Sequence, residues 1–305
     1  MMHENTSRVL NFGSLNLDFV YTVDHFVRAG ETMSVKGMEL FLGGKGLNQS
    51  VALSRAGLKV RHIGAVGNDG AALKQALSDN GVDTAFVYDL DMPNGQAIIQ
   101  RTEDGQNGIF AFPGANHAIT EAHMKSAVEA CDPGDILLLQ NEVNDIGSMM
   151  RLAKARGMRI VVNPSPVDAQ ILAAPLELAD MLIVNEVEAE ALCGETQPSA
   201  MLPALKARFP HAALLLTLGE AGAAFLPVNA AEPFRQAAYR VIPADTTAAG
   251  DTFTGFFLAT LENTENPAEA LDMAAKAAAL SVSKKGAMPS IPTMEEVLAA
   301  RLSRG

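Results

Sequence analysis

The segment DTTAAGDTFTG, residues 245–255, places small residues and an aspartate just before a stretch with a helical pattern. Ala248, Ala249 and Gly250 leave room for their backbone N–H groups to face a ligand. Such groups at a helix N-terminus, together with the helix dipole, bind phosphate. Asp251 would then lie beside a phosphoryl group as a general base. For an isolated Gly-Asp-Thr before a helix, a plain helix cap is the better explanation, so the rest of the sequence must decide.

A second cluster of glycines lies in LFLGGKGLNQSVALSRAG, residues 40–57, at the start of another helical pattern. Glycine lets the backbone approach a ligand closely, although a simple strand-to-helix turn would also explain these glycines. Lys45 is not a Walker lysine, because the chain contains no GxxxxGK[ST] motif. A dinucleotide-binding GxGxxG is also absent, which argues against a dehydrogenase.

Short apolar runs alternate with helical patterns along the chain, and the fold that they form must position the two segments at residues 245–255 and 40–57. The runs, each typical of a buried parallel strand, are RVLNFGSLN, VRHIGAVG, DILLLQNEV, MRIVVNPSP, MLIVNEVE and AALLLTLG. The alternation predicts an α/β fold with a doubly wound, mostly parallel sheet flanked by helices, in one domain over residues 1–305. Residues 19–42 and 95–113 break the rhythm, and we expect them to pair as a small β-sheet lid over a cleft.

Composition narrows the class of partner. The formal charge of −12 argues against nucleic-acid binding, because such binding depends on Lys and Arg. No apolar stretch is long enough to span a membrane and no signal core is present, so we expect a cytoplasmic protein. The two cysteines and six histidines lack metal-ligand spacing, and we expect no structural metal.

Several motifs in this order resemble the ribokinase-like (PfkB) carbohydrate kinase family over nearly the whole chain. They are GSLNLD (13–18), GGKGLNQ (43–49), PGAN (113–116), NPSP (163–166), NEVEAE (185–190), TLGEAG (217–222), DTTAAGDTF and KKGAMPSIP (284–292). The resemblance implies an ATP-dependent sugar kinase in which Asp251 is the catalytic base. It also implies that the amides of Ala248, Ala249 and Gly250 stabilise the developing charge on the phosphoryl group.

The same resemblance implies the other site residues. Those that would bind the sugar are Asn16, Asp18, Gly43, Gly44, Lys45, Asn48 and Glu142. Those that would contact the nucleotide are Asn185, Thr217, Gly219 and Gly222. Glu188 would act near Mg²⁺, while Asp245, Thr247 and Gly286 would hold a monovalent cation, K⁺. Without the family, Asn16 and Asp18 could equally form a turn, and Asn185 with Glu188 could equally cap a helix.

D-ribose, phosphorylated at its 5-hydroxyl, is the acceptor we expect, because the implied sugar residues are polar and include no obvious pair of aromatic rings to stack a base. Another furanose (fructose or deoxyribose) and a nucleoside remain as alternatives, and a non-catalytic sugar-binding regulator is a more distant one. The predicted lid also carries apolar residues that a lone small sheet could not hide, namely Ile98, Ile99, Ile109, Phe110 and Phe112. We therefore expect a homodimer joined through the lid.

Overall fold

The computed structural model describes residues 8–303, in which strands and helices alternate along the chain. The strands are β1 (Arg8–Phe12), β2 (Asn16–Val23), β3 (Gly37–Gly43), β4 (Lys59–Val66), β5 (Asp83–Asp89), β6 (Gly95–Thr102), β7 (Asn107–Phe112), β8 (Ile136–Gln140), β9 (Arg159–Asn163), β10 (Met181–Asn185), β11 (Ala213–Thr217), β12 (Ala223–Leu226) and β13 (Phe234–Gln236). The helices are α1 (Lys45–Arg55), α2 (Ala71–Asp79), α3 (Glu121–Glu129), α4 (Ile146–Arg156), α5 (Ala169–Ala173), α6 (Glu186–Cys193), α7 (Pro198–Arg208), α8 (Ala249–Thr264), α9 (Pro267–Val282) and α10 (Met294–Ala299).

The main sheet has nine strands in the order β13-β12-β11-β10-β9-β8-β1-β4-β5. The strands from β11 to β5 are parallel, while β12 and β13 are antiparallel additions at one edge. Each of the six apolar runs singled out in the sequence forms one of the parallel strands. The predicted doubly wound α/β class is therefore confirmed.

Two hydrophobic clusters cover the two faces of the main sheet, and they explain why its strands are apolar throughout. Successive side chains of a strand point to opposite faces. In β1, Val9 belongs to one cluster and Leu10 to the other, and in β8 the same holds for Leu138 and Leu139. Helices α1, α8 and α9 contribute to the first cluster, and α3, α4, α6 and α7 to the second.

The small sheet has four strands in the order β3-β2-β6-β7, so the two segments that break the strand–helix rhythm do pair in space. Asn16, the first residue of β2, pairs with both Gly43 and Gly95. The sheet therefore begins at Asn16, earlier than the predicted residue 19, and residues 24–36 connect β2 to β3 without strand structure. Asn16 and Asp18 are strand residues, so the alternative that they form a turn is wrong.

Among residues 8–303, no helix is both long and apolar enough to cross a membrane.

Candidate active site

Helices α1 and α8 cross closely, and this crossing brings their N-terminal turns together. A Cβ on Gly255 would lie 2.4 Å from the Cβ of Ala52, so only glycine permits this approach. Asp251 lies one turn before Gly255 and Asn48 one turn before Ala52. The Asn48 Nδ2 group accordingly donates to Asp251 Oδ2 at 3.0 Å, although the two residues are far apart in sequence.

Asp251 is buried at the start of α8, where amide groups from α1 hold both of its carboxylate oxygens. Gln49 Nε2 donates to Oδ1 at 2.8 Å, opposite the bond from Asn48. The N-cap position belongs to Ala248, which has a left-handed φ of 62° and makes no side-chain cap. Asp251 is therefore not a helix cap. The Ala249 N–H donates to the Thr246 carbonyl at 3.3 Å, while the first-turn N–H of Gly250 has no partner within the helix. The Gly250 N–H of the predicted anion nest can therefore face a ligand.

The glycine run before α1 lies directly against the small sheet. A Cβ on Gly43 would lie 2.0 Å from Asp18 Oδ2, and one on Gly46 would lie 2.3 Å from the backbone carbon of Gly13. Gly44 has a φ of 92°, and a Cβ there would come within 2.9 Å of the Ser14 carbonyl. These glycines are therefore required so that β1, β2 and α1 can meet at one point.

Polar residues line the junction between the two sheets. Asn116 Nδ2 donates to Asn16 Oδ1 at 2.7 Å and so orients this predicted sugar-binding side chain. Glu142 accepts a short hydrogen bond from the Ser14 hydroxyl and another, at 3.1 Å, from the backbone N–H of Lys45. Glu142 therefore lies beside the glycine run, at the carboxyl ends of the parallel strands, where open α/β sheets bind their ligands.

Asp18, Glu142 and Asp251 lie close enough for their charges to interact. Burial raises the pKa of Asp18 to about 7, and the negative charges of Glu142 and Asp251 add to the effect. Burial alone would lower the pKa of Lys45, but the surrounding carboxylates, with Asp251 first, outweigh it and raise the pKa overall. Lys45 is thus a cation that partly neutralises an acidic pocket.

Asn185 and Glu188 form a reciprocal cap at the start of α6. The Asn185 side chain accepts from the N–H of Glu188 at 2.9 Å, and Glu188 Oε2 accepts from the N–H of Asn185 at 2.9 Å. Glu188 Oε1 also accepts from Asn185 Nδ2 at 3.0 Å. The helix-capping alternative is therefore confirmed for this pair. Both oxygens of the buried Glu188 therefore accept hydrogen bonds within this cap.

Three further residues were predicted to contact the nucleotide, and they lie at or just beyond the end of β11: Thr217, Gly219 and Gly222. Thr217 is the last residue of β11, next to Asn185 in the parallel pairing of β10 and β11. Gly219 has a φ of 54° and open space around its Cα. Gly222 differs, because a Cβ there would lie 2.0 Å from the Gln236 carbonyl. Gly222 is therefore required by the packing of β12 on β13.

Asp245 joins two loops. Its Oδ1 accepts from the Thr247 N–H at 2.9 Å and from the Thr247 hydroxyl at 2.6 Å, and its Oδ2 accepts from the Gly286 N–H at 3.1 Å. Partial burial opposes ionisation, but these hydrogen bonds outweigh it and lower the pKa of Asp245. The predicted cation residues are thus in mutual contact. Within residues 8–303, no group of three or more His, Cys, Asp or Glu side chains could hold a metal ion.

Some residues of the site received no role from the sequence. Gln49 contacts Asp251, and Asn163 contacts Gln49 through Oδ1 at 3.0 Å. Asn116 orients both Asn16 and the N–H of Leu15. Each of the three belongs to one of the motifs GGKGLNQ, NPSP and PGAN, so the motifs themselves marked them. What the sequence could not supply was the identity of their partners.

A doubly wound sheet, a second small sheet and a buried aspartate at an uncapped helix N-terminus suit a phosphoryl-transferring enzyme. The model for the pfkB family carbohydrate kinase matches residues 6–294. The chain therefore belongs to the PfkB family of carbohydrate kinases, which transfer a phosphoryl group to an alcohol acceptor.

Relatives and solved structures agree with this family. The ribokinase of Haemophilus influenzae is 35% identical over 296 residues, which cover 94% of this chain and 95% of the relative. The ribokinase of Staphylococcus aureus is 35% identical over 96% of this chain and 99% of the relative. The Arabidopsis thaliana ribokinase solved with ribose and ATP is 30% identical with a TM-score of 0.85, over 96% of this chain and 97% of that one.

Proposed function

We propose that this chain transfers the γ-phosphoryl group of ATP to the 5-hydroxyl of D-ribose, with Asp251 as the general base. The observation that carries the proposal is the buried Asp251 carboxylate at the open start of α8, held by Asn48 and Gln49. Relatives that carry the name ribokinase, and the solved complex of one of them with ribose and ATP, support the choice of both substrates. We also propose that the protein acts in the cytoplasm.

In the proposed reaction Asp251 accepts the proton of the sugar hydroxyl. The hydroxyl oxygen forms a bond to the γ-phosphorus, the bond from that phosphorus to the β–γ bridging oxygen breaks, and ADP leaves. The N–H groups of Ala249 and Gly250 stabilise negative charge on the transferred group, as oriented backbone donors do in other acyl- and phosphoryl-transfer sites. Lys45 offsets the repulsion between that charge and the acidic pocket.

The chemistry of the pocket supports a small polyhydroxylated acceptor. Asn48 Oδ1 is buried and has no hydrogen-bond partner among residues 8–303, so a sugar hydroxyl can satisfy it. Asn16, Asp18 and Glu142 supply further acceptors nearby. A site that bonds to several hydroxyls discriminates against a sugar that lacks one, because a buried polar group is then left unpaired.

Two cations complete the proposal. Mg²⁺ is bound in many kinases by phosphate and water with few protein ligands, which fits a Glu188 whose oxygens already accept hydrogen bonds. A K⁺ ion fits beside Asp245, whose lowered pKa keeps the carboxylate negative. The nucleotide would lie beyond Thr217 and Gly219, because a Cβ at Gly219 would meet no atom within 4 Å and the space beside it is free. When bound, the cations supply positive charge that orders and neutralises the phosphates.

The test of this function is a panel of acceptors in an assay coupled to ADP release, with ribose, deoxyribose, fructose and adenosine under one set of ionic conditions. We expect the highest kcat/KM for ribose. An alternative sugar that exceeds ribose by about tenfold, roughly 1.4 kcal/mol of transition-state preference, would identify a different acceptor for the same kinase. No ADP release with any acceptor would favour a non-catalytic sugar-binding protein.

We also propose that the small sheet is a lid and that two lids pair in a homodimer. Side chains two residues apart on a strand share a face, and the pairing register places Leu40, Ile98 and Phe110 in one row across the sheet. All three are exposed, as are Met38 and Phe112 on the same face. An apolar sheet face of this kind is typical of a surface that another protein covers.

The homodimer is tested by light scattering at micromolar concentration. Phe110→Asp places a charge in the exposed row and should convert a dimer to a monomer. Leu298→Asp is the matched control, because Leu298 is also an exposed apolar residue but lies on α10, outside the small sheet. A wild-type protein that is monomeric throughout would contradict the proposal.

A further inference from the structure

Four carboxamide side chains form a buried layer beneath Asp251. They come from β1, α1, β8 and β9, and their relative exposures are 0% for the first three and 9% for the last: Asn11, Gln49, Gln140 and Asn163. Carboxamides do not ionise, so the layer offers fixed donors and acceptors at every pH at which the enzyme is folded. Buried polar groups of this kind are costly unless they are paired, so their arrangement is strongly constrained.

Gln49 is the member of this layer that contacts the base. Its Nε2 donates to Asp251 Oδ1 at 2.8 Å and to Asn163 Oδ1 at 3.0 Å, while its Oε1 accepts from Gln140 Nε2 at 2.7 Å. Turning the amide over would place Oε1 against two acceptors and the NH₂ group against a donor. The orientation of Gln49 is therefore fixed by its partners, and only a donor faces the carboxylate.

Gln140 is itself held in place from behind. Its Nε2 also donates to Asn11 Oδ1 at 2.9 Å, and Asn11 donates in turn to the Ser50 hydroxyl at 2.8 Å. Gln140 Oε1 has no hydrogen-bond partner among residues 8–303, and it lies against Gly13, where a Cβ would come within 2.2 Å of it. The Gln140 side chain is therefore restrained, and it restrains Gln49 in turn.

Asn163 connects Gln49 to the other side of the cleft. Its Nδ2 donates to the carbonyl of Ile183 at 3.0 Å and reaches Glu188 Oε2 at 3.5 Å. The NH₂ group of Gln49 thus bonds to the Asp251 carboxylate and to a side chain that adjoins the Asn185–Glu188 cap. The Gln49 NH₂ group therefore connects the start of α8, which carries Asp251, with the start of α6, which carries Glu188.

We propose that Gln49 is the positioning residue for the general base: it fixes the rotation of the Asp251 carboxylate so that the oxygen that receives the proton faces the sugar hydroxyl. This inference rests on the proposed role of Asp251. Asn48 alone would hold only Oδ2 and would restrain less the rotation of the carboxylate about its Cβ–Cγ bond. The proposed function also gives Asn48 a second task, which is to bind the sugar through Oδ1. Small errors in the placement of a catalytic group have large effects on rate.

The first test is Gln49→Met, which keeps the length of the side chain and removes its hydrogen bonds. We expect kcat to fall by about 10- to 100-fold, while KM for ribose and for ATP stays within about threefold of wild type. Leu205→Ala is the control for lost stability, because Leu205 is a buried residue of α7 outside the site. It should lower Tm and leave kcat unchanged.

The second test is Gln49→Glu, which retains the acceptor for Gln140 and guards against a Gln49→Met protein that fails to fold. A neutral Glu side chain can donate to Asp251, but an ionised one repels it. We therefore expect the ratio of kcat for Gln49→Glu to kcat for wild type to rise as pH falls and the new carboxyl group gains a proton. A residue that acts only through stability would leave this ratio independent of pH.

Two results would overturn the inference. One is a kcat within about threefold of wild type for both Gln49 variants; the other is a rise in the KM for ribose that matches the fall in kcat, which would make Gln49 a sugar-binding residue. An inactive Asp251→Asn enzyme beside a fully active Gln49→Met enzyme would overturn only this inference. A fully active Asp251→Asn enzyme would overturn the proposed function and the inference together.

Discussion

Helices α6 and α8 both begin at the edge of the main sheet where the parallel strands end, but their N-termini are built in opposite ways. The start of α6 is closed by the reciprocal hydrogen bonds of Asn185 and Glu188. The start of α8 has Ala248 at the cap position and no side-chain cap, and its acidic residue bonds to another helix instead. A capped N-terminus has used part of its donor capacity, whereas an uncapped one keeps it for a ligand.

This difference gives the two helix starts different tasks: the start of α6 stabilises its helix, and the start of α8 takes part in the proposed chemistry. Asn185 and Glu188 should contribute mainly to the stability of α6 and only indirectly to nucleotide binding. Asp251 contributes no cap, and its buried side chain bonds instead to Asn48 and Gln49 of α1 at the site. Substitutions at the start of α8 should therefore lower activity, whereas a substitution at the start of α6 should mainly lower stability.

Asp251→Asn should have the largest effect. The amide keeps the shape of the side chain but cannot accept a proton, so kcat should fall by about 10²- to 10⁴-fold with little change in KM for either substrate. Steady-state kinetics measure both quantities. Asp89→Asn, at an exposed carboxylate of β5 that pairs with Lys74, is the control and should keep normal turnover. Near-normal turnover of Asp251→Asn would reject Asp251 as the base.

Gly250→Ala tests the open start of α8 without disturbing the fold. A Cβ at Gly250 meets nothing within 4 Å, and alanine favours the helix, so Tm should not fall. A phosphoryl group at the N–H groups would meet the added methyl, so we expect kcat/KM for ATP to fall by about tenfold or more. Gly37→Ala is the matched control, since Gly37 also has open space but lies at the start of β3. Equal activity of the two variants would contradict the anion nest.

Asp18 should make stability depend on pH. Its pKa is raised to about 7 from an ordinary value of 3.8, so the folded state holds a proton that the unfolded state has released between these values. The free energy of unfolding should therefore fall as pH rises from about 4 to about 7. Asp18→Asn removes this dependence, and its Tm should exceed that of wild type more at pH 8 than at pH 4.5. A constant difference in Tm would contradict the shifted pKa.

Asn185→Ala should have the smallest effect on catalysis and a modest one on stability. Loss of an N-cap costs about 1 kcal/mol, which denaturant unfolding can measure. We expect kcat with ribose to change far less than it does for Asp251→Asn. A kcat loss as large as that of Asp251→Asn would mean that the start of α6 takes a direct part in the chemistry.

The sequence predicted the parallel part of the fold well, because each buried strand is a continuous apolar run. It missed the edge strands β5, β12 and β13, which are short or carry polar residues that a half-covered strand can expose. It also predicted that residues 19–42 and 95–113 pair as one small sheet, but the order of its strands, with β2 beside β6, depended on how the chain packs in space.

The candidate site shows the same division. Asp251 and its flanking small residues were evident as a motif, since a helix start with that composition suggests an anion site. The partners of Asp251 were not evident, because the bond from Gln49 spans 202 positions in the sequence. For Asn185 and Glu188 the sequence allowed a cap or a ligand role, and only the hydrogen-bond geometry identified the cap. A local motif can therefore be identified in the sequence, whereas hydrogen bonds between distant residues can be identified only in the structure.

The most direct test of the central claim is to identify the product that the purified protein makes from D-ribose and ATP. Phosphorus–proton correlation NMR of the reaction mixture reports both the fate of the γ-phosphoryl group and the carbon that carries it. We predict ADP together with a phosphomonoester whose phosphorus is coupled to the two protons on carbon 5 of ribose, and no such product with Asp251→Asn. Free inorganic phosphate as the only new signal, or a phosphoryl group on any other carbon, would contradict the claim.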